Sequence, residues 1–391
     1  MNSVRIAVIG IGNMGFAHAS NIYAGKVPGM QLTALCDTDE AKRNAAAESF
    51  AGVAIFADHI SLLDAHVADA VIIATPHYFH PPIAIDAFAR GYHVITEKPA
   101  GVNAGAVREM TAAAEASGRV FGIMFNQRTN PLFARTREIV KSGQLGLPKR
   151  FSWIITNWYR TQHYYDSGDW RATWRGEGGG VLLNQAPHNL DIWQWIFGMP
   201  SSLWATCRVA RHHRIEVEDE ATICAEYDNG ASAVFITSTG EFPGTNRLEI
   251  VGDRGKIVLE NGVLKWWRLH EPEREFCFKS QKSFDKIPFD YEEIKPEEKE
   301  TGHLGILQNF AEAVLTGSEL LAPGSDGIYE LMISNAAYLS SWQDGRRITL
   351  PPDDAEFLAH LKSAAETSSI KHTNDSPSTS GSYSERWQVR W

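Results

Sequence analysis

The chain has 391 residues, 43% of them hydrophobic, which is too long for one ordinary core and apolar enough to bury two. Its formal charge of −10 argues against nucleic acid or an anionic membrane as a partner. Cys36, Cys207, Cys224 and Cys277 are scattered with no C-x-x-C pair, so neither a disulfide framework nor a zinc site is expected, and a cytoplasmic location fits; no apolar run is long enough to span a membrane, and the first strand starts too near Met1 to leave room for a signal peptide.

Residues 6–9 are a short β-branched apolar run suited to a strand buried on both faces. It feeds directly into Gly10, Gly12 and Gly15 in G-x-G-x-x-G spacing, with Asn13 and Met14 between the last two. Gly10 can take the turn angles, the missing side chain at Gly12 admits a pyrophosphate, and Gly15 lets the following helix pack on the strand. The helix amino terminus turns its N–H groups to the phosphates. A lone motif of this kind often makes only a turn. Here a second strand, residues 31–36, ends in Asp37, 22 positions after Gly15 and close to the spacing for a carboxylate that accepts from ribose hydroxyls. Thr38 and Asp39 follow it rather than a cation, so a 2′-phosphate would be repelled and NAD is expected over NADP.

A helix at 40–50 and a weak strand at 53–56 come next, then strands at 69–74, 93–97 and 120–125, with helices at 83–90 and 104–116 between them. Such alternation is the signature of an α/β Rossmann unit with a doubly wound parallel sheet, expected over residues 1–125. Ligands of such sheets bind outside the carboxyl ends of the strands, where Thr75, Pro76, His80, Glu97, Lys98 and Asn126 fall.

From Asn126 the texture changes. A helix at 132–142 leads into alternating stretches at 150–157, 202–212, 221–227, 231–239, 247–251, 256–260 and 263–268, several joined by Asn-Gly turns. An α+β unit over 126–362 with a large open, mainly antiparallel sheet is expected, covered on one face by helices at 304–316 and 328–342. The remainder, 363–391, has a disordered composition but ends in a tryptophan-bearing stretch, 386–391, that suits a docked arm. An open sheet also invites a second copy, so a dimer or tetramer is expected.

Glu97-Lys98-Pro99 is the first chemical candidate. Taken alone it is a strand-end ion pair and a turn. Beside a nicotinamide crevice, the ammonium of Lys98 can hydrogen-bond a substrate alcohol and stabilise alkoxide charge as hydride leaves. The second is the glycine-rich run 176–180 leading to Asn184, His188 and Asp191, which one helix would place on one face, with Pro187 able to kink or restart it. His188 is the natural proton acceptor. The stretch 158–175 interleaves aromatic rings with arginines, as a polyhydroxylated ring needs: Trp158, Tyr165 and Trp174 as walls, and Arg160, Arg171 and Arg175 as clamps for an anionic substituent. Arg128 joins this substrate set. His77, His80, His212 and His213 lack carboxylates at ligand spacing, and no metal is expected.

The glycine motif at Gly10–Gly15, the Thr75-Pro76 turn, Glu97-Lys98-Pro99 and the glycine run with His188 and Asp191 together resemble the glucose-fructose oxidoreductase and inositol dehydrogenase (Gfo/Idh/MocA) family, over residues 4–342. The resemblance implies Lys98 as catalytic lysine and His188 as catalytic acid/base. Where the family often has aspartate four residues before the histidine, this chain has Asn184, which can orient a hydroxyl but not accept its proton. The expected activity is NAD-dependent hydride removal from a secondary alcohol of a pyranose, glycoside or cyclitol. A second expectation is the redox-neutral glycosidase chemistry found in the family, in which oxidation, elimination, water addition and re-reduction leave NAD unconsumed. A third, from another class, is a sugar-sensing protein that keeps the fold without the chemistry.

Overall fold

The computed structural model describes residues 3–369, and the chain's internal contacts divide it into two compact units. The first contains Met1–Thr129, Gly176–Gly178 and Thr301–Leu331; the second contains Asn130–Arg175, Gly179–Glu300 and Met332–Trp391. Residues 386–391, expected as a docked arm, lie outside the described residues.

In the first unit, β1 (Val4–Ile9), α1 (Asn13–Tyr23), β2 (Met30–Cys36), α2 (Glu40–Ser49), β3 (Ala54–Phe56), α3 (His59–Asp64), β4 (Ala70–Ile73), α4 (His80–Ala89), β5 (His93–Thr96), α5 (Ala104–Ser117) and β6 (Phe121–Ile123) follow one another. The strands are parallel in the order β3-β2-β1-β4-β5-β6. Ile6, Val8, Val71 and Ile72 are fully buried, as expected where helices cover both faces and alternation disappears. Order reverses between β1 and β4, and this switch point opens a crevice at the carboxyl ends of the strands. Asp39 caps α2 by accepting from the amides of Ala41 and Lys42, and Asn103 caps α5.

The second unit runs through α6 (Pro131–Lys141), β7 (Pro148–Ile155), α7 (Gln162–Asp166), α8 (Val181–Asn184), α9 (Pro187–Phe197), β8 (Ser202–Val209), β9 (Glu218–Glu226), β10 (Ser232–Ser238), β11 (Asn246–Gly252), β12 (Gly255–Glu260), β13 (Val263–Leu269), α10 (Glu273–Lys279) and β14 (Phe289–Ile294). The chain returns to the first unit as α11 (Gly302–Thr316), enters α12 (Gly327–Trp342), and closes with β15 (Ile348–Thr349) and α13 (Asp354–Glu366). Its sheet has the order β14-β13-β12-β11-β7-β10-β9-β8-β15, antiparallel throughout except for the parallel pair β7 and β10. Phe151 and Trp153 of β7 point inward with Phe235, and Trp193 of α9 stacks on Phe151 at 5.4 Å between centroids. The alternate residue Ile154 is 38% exposed, so the other face of the sheet stays open.

Two expectations change. The helix at 302–316 was expected on the open sheet but packs in the first unit: a Cβ on Gly29 would meet Leu315 at 3.3 Å, and one on Gly122 would meet Phe310 at 3.1 Å. An apolar stripe says that a face is buried, not against what. Ordered structure also continues beyond residue 363, since α13 runs to Glu366 and Ser368 Oγ accepts the Arg175 amide at 3.2 Å. Among the described residues no helix is long and apolar enough to cross a membrane.

Candidate active site

The turn after β1 is built as its glycines require. Gly10 has φ +93°, and a Cβ there would lie 2.7 Å from the backbone of Ala74. A Cβ on Gly15 would lie 1.8 Å from the Gly10 carbonyl oxygen, so helix and turn touch directly. Around Gly12, by contrast, a Cβ would meet nothing within 4 Å, which leaves the approach to the α1 amino terminus, with Asn13 and Met14 in its first turn, open to a pyrophosphate.

Asp37 ends β2 with its carboxylate oriented by the backbone: Oδ2 accepts the Ile11 amide at 2.7 Å and Oδ1 the Asp39 amide at 2.9 Å. Each oxygen keeps a lone pair for a ribose hydroxyl. Two cations absent from the sequence argument are near. Lys42 Nζ is 3.7 Å from Asp37 Oδ2, and Arg43 Nη1 donates to the carbonyls of Asp37 and Thr38, each at 2.9 Å. The Thr75 hydroxyl is buried without a hydrogen-bond partner among the described residues, as is Asn126 Oδ1. An open glycine cradle, an oriented ribose carboxylate and unsatisfied polar atoms at strand ends fit a dinucleotide.

His80 and Glu97 stand in the same region but are engaged by protein. His80 Nδ1 lies 2.8 Å from the Pro99 carbonyl and Nε2 lies 2.7 Å from that of Thr75, so the ring braces the two strand-end loops. Burial pushes its basicity down against the pull of both carbonyls. Glu97 is 6% exposed and accepts from His18 Nε2 at 2.6 Å. Burial alone would raise its pKa; the hydrogen bond and charge of His18, with His303 and Lys98 behind, bring it down to about 2. The carboxyl is therefore ionised, and Lys98 follows it directly, half-buried at the end of β5.

The second unit assembles a separate polar group. Pro187 starts α9, so Asn184 belongs to the short α8 and not to one helix with His188 and Asp191, as expected from spacing. The hub is Tyr164, on α7. Its hydroxyl accepts from Arg171 Nη1 at 2.9 Å and Gln185 Nε2 at 3.2 Å, and donates to Asn184 Oδ1 at 3.4 Å. The guanidinium groups of Arg171 and Arg160 lie 4.8 and 5.2 Å from its ring centroid. Arg160 also donates to the carbonyls of Trp158 and Tyr159, and among the described residues no carboxylate pairs with it. His188 is buried in the first turn of α9.

The glycine run is fixed by Glu218. Its Oε2 accepts the Gly180 amide and its Oε1 the Leu182 amide, each at 2.9 Å, while the Tyr338 hydroxyl donates to Oε1 at 2.8 Å. Burial outweighs these donors and pushes the carboxyl up to about 7.

Several sequence candidates are also engaged by protein. Arg128 is 2% exposed and donates to Asp326 Oδ2 at 2.7 Å and the Leu321 carbonyl at 3.0 Å, a buried tie within the first unit. Trp158 is buried with Nε1 on Asn189 Oδ1 at 3.1 Å; the Tyr165 hydroxyl bonds Thr239; Trp174 packs on Tyr338 and Trp342. Arg175 is exposed. His213 meets Asp219, and His212 meets Glu220, at 2.9 Å each. Large aromatics and a long loop signal burial as readily as binding, and sequence alone does not separate the two.

Comparison with known proteins agrees with this fold. The oxidoreductase family with an NAD-binding Rossmann fold matches residues 4–125, and the GFO/IDH/MocA C-terminal domain matches residues 133–258. The chain is 25% identical over 354 residues to the scyllo-inositol 2-dehydrogenase (NAD(+)) of Bacillus subtilis, covering 89% of this chain and 97% of that one. It is 28% identical over 265 residues to the D-glucoside 3-dehydrogenase of Escherichia coli, covering 67% and 69%. Among solved structures, the WlbA dehydrogenase of Chromobacterium violaceum, in complex with NADH and UDP-GlcNAcA, superposes with a TM-score of 0.77 at 26% identity, over 90% of this chain and 97% of that one.

Proposed function

Because the chain belongs to the Gfo/Idh/MocA family and is an NAD-dependent sugar or cyclitol dehydrogenase, we propose that it oxidises a secondary alcohol of a pyranose, glycoside or cyclitol, using Lys98 and His188. Bound NAD supplies the hydride acceptor. Gly10, Gly12, Gly15, Asp37 and Thr75 would hold the dinucleotide. Lys98 donates a hydrogen bond to the substrate oxygen and lowers the cost of its developing negative charge. His188 accepts the hydroxyl proton. Asn184 orients the substrate without taking a proton, and Tyr164 and Gln185 hold Asn184 in place. The observation that carries this reading is the ionised Glu97 beside Lys98, which favours the ammonium form needed for a donor.

The test is reduction of NAD by native protein across a panel of cyclitols, free sugars and glycosides. Lys98→Ala should lower kcat at least a hundredfold, and His188→Ala a similar amount, with NAD binding retained. Undiminished turnover in Lys98→Ala would sink the assignment.

One feature supports the redox-neutral glycosidase as a second reading. The Tyr164 hydroxyl, in contact with Arg171 and Asn184, adds a proton-carrying group for the extra transfers this reaction requires. Release of aglycone with no lasting NADH absorbance separates this reaction from net oxidation. Tight sugar binding without any redox exchange would instead identify a sensor. Arg160, without a carboxylate partner, supports an anionic substituent on the sugar. The half-exposed outer sheet face supports assembly as a dimer or tetramer, which light scattering on purified protein checks.

A further inference from the structure

Behind Lys98 lies a buried group of titratable side chains that the reaction does not use directly. His18, on α1, is 1% exposed and donates from Nε2 to Glu97 Oε1 at 2.6 Å. The other carboxylate oxygen of Glu97 accepts the Lys98 amide at 3.3 Å. The His303 ring, in the first turn of α11, lies 5.7 Å from that of His18, and Asn126 Nδ2 is 3.4 Å from His303 Nδ1. His80, on α4, completes the group between the Thr75 and Pro99 carbonyls. Among the described residues the charge of Lys98 acts on Glu97, just after β5, on His80 of α4 and on His303 of α11.

Their charge states differ for a physical reason. A carboxyl removed from water favours its neutral form unless a donor or a cation compensates. Glu97 is nevertheless ionised, and the His18 hydrogen bond is the largest influence opposing burial. Burial pushes His303 down to about 4, so at neutral pH that ring sets no positive charge against the ammonium. Of this group Glu97 lies next to Lys98 and takes its amide, and the largest influence opposing the burial of its charge is the His18 hydrogen bond.

We infer that His18 is a positioning residue: through its bond to Glu97 it keeps that carboxylate ionised and fixed beside Lys98, and thereby keeps Lys98 an ammonium over the working pH range. The consequence for rate rests on Lys98 as the group that polarises the substrate hydroxyl; the consequence for its charge does not.

The test uses the full chain and three variants. His18→Phe removes the donor and keeps the bulk of a ring, His18→Gln returns a donor at similar reach, and Glu97→Gln removes the charge. The pH midpoint at which Lys98 becomes reactive toward acetic anhydride, read by peptide mass spectrometry, should fall by about one unit in His18→Phe and in Glu97→Gln. His18→Gln should restore it in large part. The alkaline limb of kcat/KM should move by the same amount. If the labelling midpoint shifts and the rate profile does not, His18 controls the charge of Lys98 as inferred and Lys98 is not the polarising group. An unchanged labelling midpoint in folded His18→Phe overturns the inference. Should that variant not fold, an unchanged midpoint in Glu97→Gln overturns it equally.

Discussion

Glu218 holds Gly180 twice over: its side chain accepts the Gly180 amide at 2.9 Å, and a Cβ on Gly180 would lie 1.9 Å from the Glu218 carbonyl oxygen. The clash is with the backbone at the start of β9, not with a flexible side chain. Gly180→Ala should therefore destabilise the protein by about 2 kcal/mol or more. It should also lower kcat by more than tenfold, because the turn it distorts leads to Asn184 and His188. Urea unfolding and steady-state kinetics check both, and wild-type values for either measure would contradict the packing argument.

Gly12 and Gly15 separate cofactor binding from folding. A Cβ at Gly12 meets no protein atom, whereas one at Gly15 meets the Gly10 carbonyl at 1.8 Å. Gly12→Ala should leave thermal stability near wild type and raise the Kd for NAD by about tenfold or more, since the methyl occupies the pyrophosphate approach. Gly15→Ala should lower the melting temperature with or without NAD. Equal losses of stability in the two variants would refute the distinction.

Asp37 is expected to carry the preference for NAD against two nearby cations. With Lys42 Nζ at 3.7 Å and Arg43 anchored on the same turn, removal of the carboxylate leaves a locally positive surface. Asp37→Ser should weaken NAD and strengthen NADP, narrowing their kcat/KM ratio by roughly tenfold or more. An unaltered ratio would show that discrimination lies elsewhere.

How far the sequence reached depends on the range of each interaction. Parallel strands buried on both faces are unbroken apolar runs, so β1, β4 and β5 and the crevice beyond them are legible from local pattern. β14 is exposed along nearly its whole length and rich in acids, so it gives no such pattern, and its pairing with β13 is visible only in three dimensions. The same holds for chemistry. Lys98 and the glycine turn lie within contiguous motifs, while His18 and Glu97 are 79 residues apart and Glu218 is 38 from Gly180. Pro187 announced a break, but only the backbone shows that it assigns Asn184 and His188 to different helices.

Arg160 should decide between neutral and anionic sugars. Its guanidinium is held by two carbonyls and lies over Trp158 and Tyr164 without a carboxylate partner among the described residues. Arg160→Met should raise KM for a uronic acid or its glycoside by about tenfold or more while changing KM for the matching neutral sugar little. Equal effects on both would remove the anion from the argument.

His303 makes stability depend on pH in one direction. Its ring, normally half-protonated near 6.5, is held down to about 4 by burial, so the unfolded chain binds the proton before the folded protein does. The stability it contributes is complete above 6.5 and is lost as pH falls through 4. The loss is at most about 3 kcal/mol. In His303→Phe that slope should vanish, so the difference in unfolding free energy between wild type and variant should change across this window. A constant difference would show that His303 does not titrate as described.

The first unit is written in three separate pieces of the chain, and Arg128 finds its countercharge only at Asp326. During synthesis the ribosome therefore delivers eight of the nine strands of the second sheet before the residues that finish the nucleotide-binding half. A nascent chain released after residue 300 would carry a buried guanidinium site without its acid and β6 without α11, and so should be recognised as unfinished by chaperones and proteases even though every glycine, lysine and aspartate of the cofactor cradle is already present.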